Sequence, residues 1–293
     1  MRLDGVLLFW GAVGVAVLWA TSPAGPWWPP VAALVTATLF LWANWPARVP
    51  KQVECRPAVL IPTHNNRGEV GKVVEAALRH GLPVYVVDDG SKDGSGAEAA
   101  AAGATVVVHP VNHGKGRALL TGMEALQKAG CTHALCLDAD GQHDPADIPS
   151  FAAHVAGEPH AIIVGVRDMS TAPKSSRFGR RFSNFWVWVE TGWALQDTQC
   201  GFRAYPIAPI LALGLGGHRY DLEVEVLTRA LWAGIPVRDI PCRVYYPPAE
   251  LRVSSFRPYM DNTRITFMNF RLLAERFLWP LNWWGRAPRQ APR

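Results

Sequence analysis

From Ala58 onward the chain alternates short apolar runs with amphipathic ones, and this alternation constrains its fold more than any other feature. Residues 58–62 (AVLIP), 84–88 (VYVVD), 105–108 (TVVV), 133–138 (HALCLD) and 161–166 (AIIVGV) are apolar and rich in β-branched residues, as buried strands are. Between them, residues 67–80, 95–102, 115–129 and 146–156 read as helices. Strands that alternate with helices imply an α/β domain with a mostly parallel, doubly wound sheet. In such sheets ligands bind beyond the carboxyl ends of the strands. The polar motifs PTHNN, DDGSKDGS and DADGQHDP all fall at those ends.

The two ends of the chain have another texture. Residues 5–21 and 27–45 are apolar and uncharged, each close to the roughly 20 residues that a spanning helix needs. SPAGP joins them, Arg2 precedes them, and Arg48 and Lys51 follow. Positive charge on both flanks predicts a helical membrane hairpin, transmembrane or re-entrant, with both ends cytoplasmic. The rival reading is a cleaved signal peptide followed by an anchor. Residues 251–293 hold eight arginines against two acids, a net +6 in a chain whose total is +5. Such basicity suits nucleic acid or anionic lipid. Six of the 13 tryptophans lie before residue 46, and three more are Trp279, Trp283 and Trp284, which favours the membrane interface over nucleic acid. Residues 264–284 therefore read as an interfacial amphipathic helix, with an amphipathic helix packed on the domain as the alternative. The five cysteines form no CxxC pair, which argues against a disulfide scaffold or a zinc site and fits a reducing compartment.

The motif LDADGQHDP places two aspartates just past an apolar run. An ordinary turn is one reading. An EF-hand is excluded, because counting from Asp138 its glycine and glutamate positions hold His143 and Pro149. The third reading is an open metal site. In an extended segment residues i and i+2 share a face, so Asp138, Asp140 and Gln142 could offer three oxygens to one hard cation. There is no GxGxxG fingerprint, and the GKG of NHGKGRAL lacks the first glycine of a P-loop.

PTHNN, DDGSKDGS, NHGKGRALLTG, DADGQHDP and DTQCGFRAY, in this order, resemble glycosyltransferase family 2, and within it the dolichol- and polyprenyl-phosphate sugar transferases. The resemblance covers roughly residues 55–260. It implies a GT-A fold (Rossmann-like) over residues 51–250, with the hairpin at 1–50 and the basic interfacial segment and tail at 251–293. It also implies a nucleotide-sugar donor, Mg²⁺ or Mn²⁺, inversion at the anomeric carbon, and a membrane lipid acceptor. Carried over by position, Pro62, His64, Asp89 and Lys115 would meet the nucleotide, with Asp89 on the base. Asp138, Asp140 and Gln142 would hold the metal against the diphosphate. The first motif departs from the common PTYNE at His64 and Asn66, which leaves UDP and GDP both open.

The basic stretch 165–185 contains Arg167, Lys174, Arg177, Arg180 and Arg181, and a solvated basic loop is one reading of it. In the resembled group an Arg and a Ser of this region receive the acceptor phosphate. Arg181 and Ser183 fit best, with Arg177 or Arg180 as alternatives. Within DTQCGFR, Asp197 is the candidate base for a hydroxyl acceptor, and would only orient a phosphate one. Arg203 is either a brace for the diphosphate or an internal ion-pair partner. Cys200 reads as a packing residue, and Glu223 and Glu225 as structural support. Arg252 and Ser255 occupy a loop that would close over the donor, although SSF replaces the common GxSK. Three functions follow: sugar transfer to a polyprenyl phosphate on the cytoplasmic face, transfer to a hydroxyl of a non-phosphorylated lipid, or a non-catalytic membrane scaffold.

Overall fold

Strand β1 (Pro57–Thr63) lies near the middle of the sheet, and Ala58 to Ile61 are wholly buried, as a parallel strand covered on both faces requires. The computed structural model describes residues 50–170, 172–246 and 258–282. Both apolar segments of the expected hairpin, together with Arg252 and Ser255, lie outside the described residues. The other strands are β2 (Val84–Asp88), β3 (Thr105–Val108), β4 (His133–Cys136), β5 (Ile162–Arg167), β6 (Arg203–Pro206) and β7 (Val237–Cys242). They form one sheet in the order β3-β2-β1-β4-β6-β5-β7. Strands β1 to β4 are parallel, β7 is parallel to β5, and β6 runs antiparallel between β4 and β5.

The intervening helices bury spaced apolar residues. Helix α1 (Val70–Leu78) turns in Val70, Val73, Val74 and Ala77, the i, i+3, i+4, i+7 pattern of one face. Helix α2 spans Ser95–Ala101, and α3 (Lys115–Lys128) covers β1. Gly122 lets α3 lie flat on the sheet, since a Cβ there would collide with Leu60. A short 3-10 turn (Pro145–Asp147) leads into α4 (Ile148–Gly157). Helix α5 (Lys174–Thr191), the short α6 (Ile207–Leu211), α7 (Asp221–Trp232) and α8 (Pro258–Asn282) complete the domain.

Three local expectations change. HALCLD ends as a strand at Cys136, because residues 139 and 140 turn and Gly141 adopts φ +69°. The strand alternation used to align Asp138, Asp140 and Gln142 therefore does not apply, and any grouping of the three comes from a turn. The basic stretch read as a loop becomes helix α5 from Lys174 on. DTQCGFRAY supplies strand β6, which starts opposite Cys136 and Val164. Because β6 is antiparallel, the loop before it arrives at the ligand edge of the sheet.

Helix α8 packs on α7 and α5 through Ile265, Met268, Asn269 and Leu272, and leaves Phe267, Phe270 and Arg271 exposed. Among the described residues no helix is long and apolar enough to cross a membrane.

Candidate functional site

The carboxyl ends of β2, β4 and β5 and the loop before β6 meet at one edge. There the first turn of α3 places Lys115 between two acids. Its Nζ lies 2.6 Å from Asp138 Oδ1 and 2.6 Å from Glu223 Oε1 of α7. Burial alone would lower the ammonium's pKa, but Asp138 and Glu223 reverse this and hold it well above its usual value. Burial likewise pushes the Asp138 carboxyl up, and Lys115 outweighs it, so Asp138 stays ionised below the usual range. Asp140 differs. Burial and then the charge of Asp138 raise its pKa. Its Oδ1 accepts the Gln142 N–H at 3.0 Å, and among the described residues no cation pairs with it. The backbone of Gly201 packs directly on Asp138, where any Cβ would collide. Two acids thus share one lysine, and Asp140 beside them has no cation among the described residues. Two carboxylates and the Gln142 amide are hard oxygen donors, the set that Mg²⁺ or Mn²⁺ takes.

Asp89 is placed otherwise than the resemblance implied. It is buried, and its oxygens accept His109 Nδ1 at 2.8 Å, His113 N at 2.9 Å and Gly114 N at 2.7 Å. It therefore organises the loop that enters α3, as an acid at a helix N-terminus does, and is not open to a base. Pro62 is buried within β1. His64 donates from Nδ1 to the Asp89 carbonyl at 2.8 Å, because a carbonyl only accepts.

Asp197 is fully buried under two arginines. Arg167 donates from Nε to Oδ2 (2.8 Å) and from Nη2 to Oδ1 (2.9 Å), the bidentate fork. The Arg167 and Gln199 amides add bonds of 3.3 and 3.2 Å, and Arg180 Nη1 lies 3.8 Å from Oδ2. A carboxylate so enclosed has no free oxygen toward an acceptor hydroxyl, so the expectation of a base gives way to that of an anchor for Arg167. Arg203 is likewise internal. It donates to the carbonyls of Cys200, Thr198 and Glu223 and to the Tyr205 hydroxyl, so four of its five N–H donors serve the protein. It ties the DTQCGF loop to α7, and among the described residues it forms no ion pair.

Helix α5 separates Arg181 from Ser183. Residues two apart on a helix do not share a face. Arg181 is exposed, as is Arg177 one turn earlier, while Ser183 is 2% exposed and accepts the Thr198 hydroxyl at 2.8 Å. Ser183 therefore cannot meet a phosphate together with Arg181. A cleft of about 830 Å³ lies over Arg177, Phe178, Arg180, Arg181 and Phe182. The same spacing divides Glu223 from Glu225. Glu225 is the structural support expected, accepting Gly216 and Gly217 N–H, Arg229 and Arg271. Glu223 instead faces Lys115. Sequence reasoning missed its place at the site, and the i, i+2 spacing was the available signal. Arg167 was likewise seen only as one charge among five.

The family model described as Glycosyl transferase family 2 matches residues 58–212. UDP-N-acetylglucosamine–dolichyl-phosphate N-acetylglucosaminyltransferase of Methanococcus voltae is 25% identical over 64% of this chain and 85% of its own. Undecaprenyl-phosphate 4-deoxy-4-formamido-L-arabinose transferase of Pseudomonas paraeruginosa is 29% identical over 59% of this chain and 58% of its own. Among solved structures, glucosyl-3-phosphoglycerate synthase of Mycobacterium tuberculosis superposes with a TM-score of 0.57 at 19% identity, covering 76% of this chain and 80% of that one. That likeness concerns the GT-A-like fold.

Proposed function

The chain belongs to glycosyl transferase family 2, and we propose that it transfers a sugar, with inversion, from a UDP- or GDP-sugar to a polyprenyl phosphate at the cytoplasmic membrane face. The acidic corner carries this reading. Asp138 and Asp140, short of positive charge, would hold Mg²⁺ or Mn²⁺ together with Gln142. An ion held there would neutralise charge on a departing nucleoside diphosphate. Lys115 adds a fixed positive charge at the same corner. Pro62 and His64 sit at the strand end where the nucleotide would lie, and Arg252 and Ser255 would close over the donor.

Two observations support a phosphate acceptor over a hydroxyl. Asp197 is closed off as a base, and a phosphate monoester is already anionic near pH 7 and needs none. The Methanococcus and Pseudomonas relatives are also named for dolichyl and undecaprenyl phosphate. Arg177, Arg180 and Arg181 around the cleft would receive that phosphate. Phe178, Phe182, Phe185 and Trp188 of α5 are exposed, and Trp186 meets Phe270 of α8 at 6.0 Å between ring centroids. Such an aromatic face suits the membrane interface, with residues 1–50 as the anchor, 51–250 as the catalytic domain and 251–293 lying along the surface.

The test uses the full chain in detergent with a panel of UDP- and GDP-sugars, total lipid extract and Mn²⁺, beside Asp140→Ala. One donor should label a lipid phosphate, and the variant should not. Label on a non-phosphorylated lipid would instead select the hydroxyl acceptor. No transfer and no Mn²⁺-dependent nucleotide binding would leave a scaffold.

A further inference from the structure

Beside the acidic corner, three side chains from distant parts of the chain meet. His143 follows Gln142, Cys200 lies in the loop before β6, and Cys242 ends β7. All three are buried, and one donor atom of each lies within 4.8 Å of the other two. The His143 ring is 4% exposed, and among the described residues its Nδ1 has no hydrogen-bond partner. A buried polar atom without a partner costs about 1–3 kcal/mol, so a ring held this way beside two thiols points to something it binds.

The sulfurs are 3.7 Å apart. Around a tetrahedral Zn²⁺ with Zn–S bonds of about 2.3 Å, two thiolates stand about 3.8 Å apart. The pair thus already has the spacing of one edge of that tetrahedron. Gly165 of β5 makes the approach possible, since a Cβ there would lie 2.7 Å from Cys242 Sγ and 3.0 Å from Cys200 Sγ. The donor set is soft, two sulfurs and an imidazole, and is chemically unlike the oxygens of Asp138, Asp140 and Gln142.

We propose that His143, Cys200 and Cys242 form a second metal site, for Zn²⁺, separate from the oxygen-lined one. Binding releases the two thiol protons to solvent as two Zn–S bonds form. Three protein donors leave the fourth position to a solvent molecule. The ion ties the segment after Gln142 to the loop before β6 and to the end of β7. It thereby steadies Gly201, next to Cys200, against Asp138. Sequence spacing hides the site, because its ligands are 57 and 42 residues apart.

The test is a titration of the metal-free full chain in detergent with Co²⁺, the spectroscopic stand-in for Zn²⁺. One equivalent should produce thiolate-to-cobalt charge-transfer absorption and tetrahedral ligand-field bands. Excess Zn²⁺ should abolish them. Asp140→Ala should keep them, whereas Cys200→Ser and Cys242→Ser should lose them. Where a serine variant does not fold, alkylation of the wild-type protein in mild denaturant gives the answer. Zn²⁺ should then slow labelling of Cys200 and Cys242 by about 10-fold or more, but not labelling of Cys55 or Cys131. Absent thiolate bands, bands that survive in Cys242→Ser, unprotected thiols, or a Cys200–Cys242 disulfide in freshly isolated protein would each overturn the site. Sugar transfer enters none of these readouts, so this proposal and that of the transferase fail separately.

Discussion

Asp138, partly buried, and Asp197, wholly buried, are carboxylates at the ligand edge of the sheet, and their surroundings have opposite balances. Asp197 has two arginines and two backbone amides for its two oxygens. Asp138 shares one lysine with Glu223, and Asp140 beside it has no cation among the described residues. A buried charge is tolerated when it is paired and hydrogen-bonded. The Asp197 cluster meets that condition by itself and can act as a girder. The Asp138 corner meets it only in part, and a divalent ion with an anionic substrate would complete it. The difference teaches that burial of an acid says little about its role until its partners are counted.

The strongest way to break this comparison is Asp140→Ala. Transfer should fall by about 10³-fold, the scale of losing a major electrostatic contact in the transition state, while the melting temperature stays near that of wild type. Activity within ten-fold of wild type would remove Asp140 from the site.

Asp197→Ala should do the reverse and act mainly on folding. Breaking a buried pair from one side costs about 3–5 kcal/mol, readable as a lower urea midpoint. Replacing both partners, Asp197→Leu with Arg167→Met, should recover much of the loss. A stable Asp197→Ala without activity would restore Asp197 as a catalytic group.

Glu190 sharpens the contrast as a buried acid that pairs with no cation among the described residues. It lies on α5, where Oε2 accepts the Thr228 hydroxyl and Oε1 has no partner. Burial pushes its pKa up to about 8. An acid raised in this way is neutral when folded and ionised when unfolded between the two pKa values. Folding stability from this group is therefore greatest at acid pH, below the unfolded value. It falls as pH rises, by up to about 1.4 kcal/mol per unit, and levels off above about 8. Glu190→Gln should flatten that slope in denaturation curves taken from pH 5 to 8. An unchanged slope would mean that Glu190 is ionised in the fold.

The smallest effects separate the two faces of α5. Ser183→Ala should cost about 1 kcal/mol of stability and leave the acceptor KM alone. Arg181→Ala should raise that KM by about 10-fold, or about 1.4 kcal/mol, with stability unchanged. The opposite pattern would return Ser183 to the acceptor site.

Much of the sheet was legible in the sequence. AVLIP, VYVVD and TVVV appear as β1, β2 and β3 because continuous apolar, β-branched runs are a local property of the chain. HALCLD was legible as a strand but not where it stops, because the turn at Gly141 overrides strand alternation. The basic stretch around Arg177 looked like a solvated loop because its arginines hid the buried Ser183, Val187 and Glu190 on one helix face. Once that stretch is helical, Arg181 and Ser183 must part, and the same rule parts Glu223 from Glu225.

By itself, then, the sequence determined the alternation of elements, the order of the polar motifs and so the family. These depend on neighbouring residues and on short periods. Only the tertiary structure decided which charges meet. Lys115 joins Asp138 and Glu223, Arg167 closes over Asp197, and His143 meets Cys200 and Cys242, across separations that no local period links. The physical reason is the pairing of the sheet. An antiparallel β6 between β4 and β5 brings the 197–202 loop to the ligand edge, and the parallel pairing of β7 with β5 brings Cys242 to the same end.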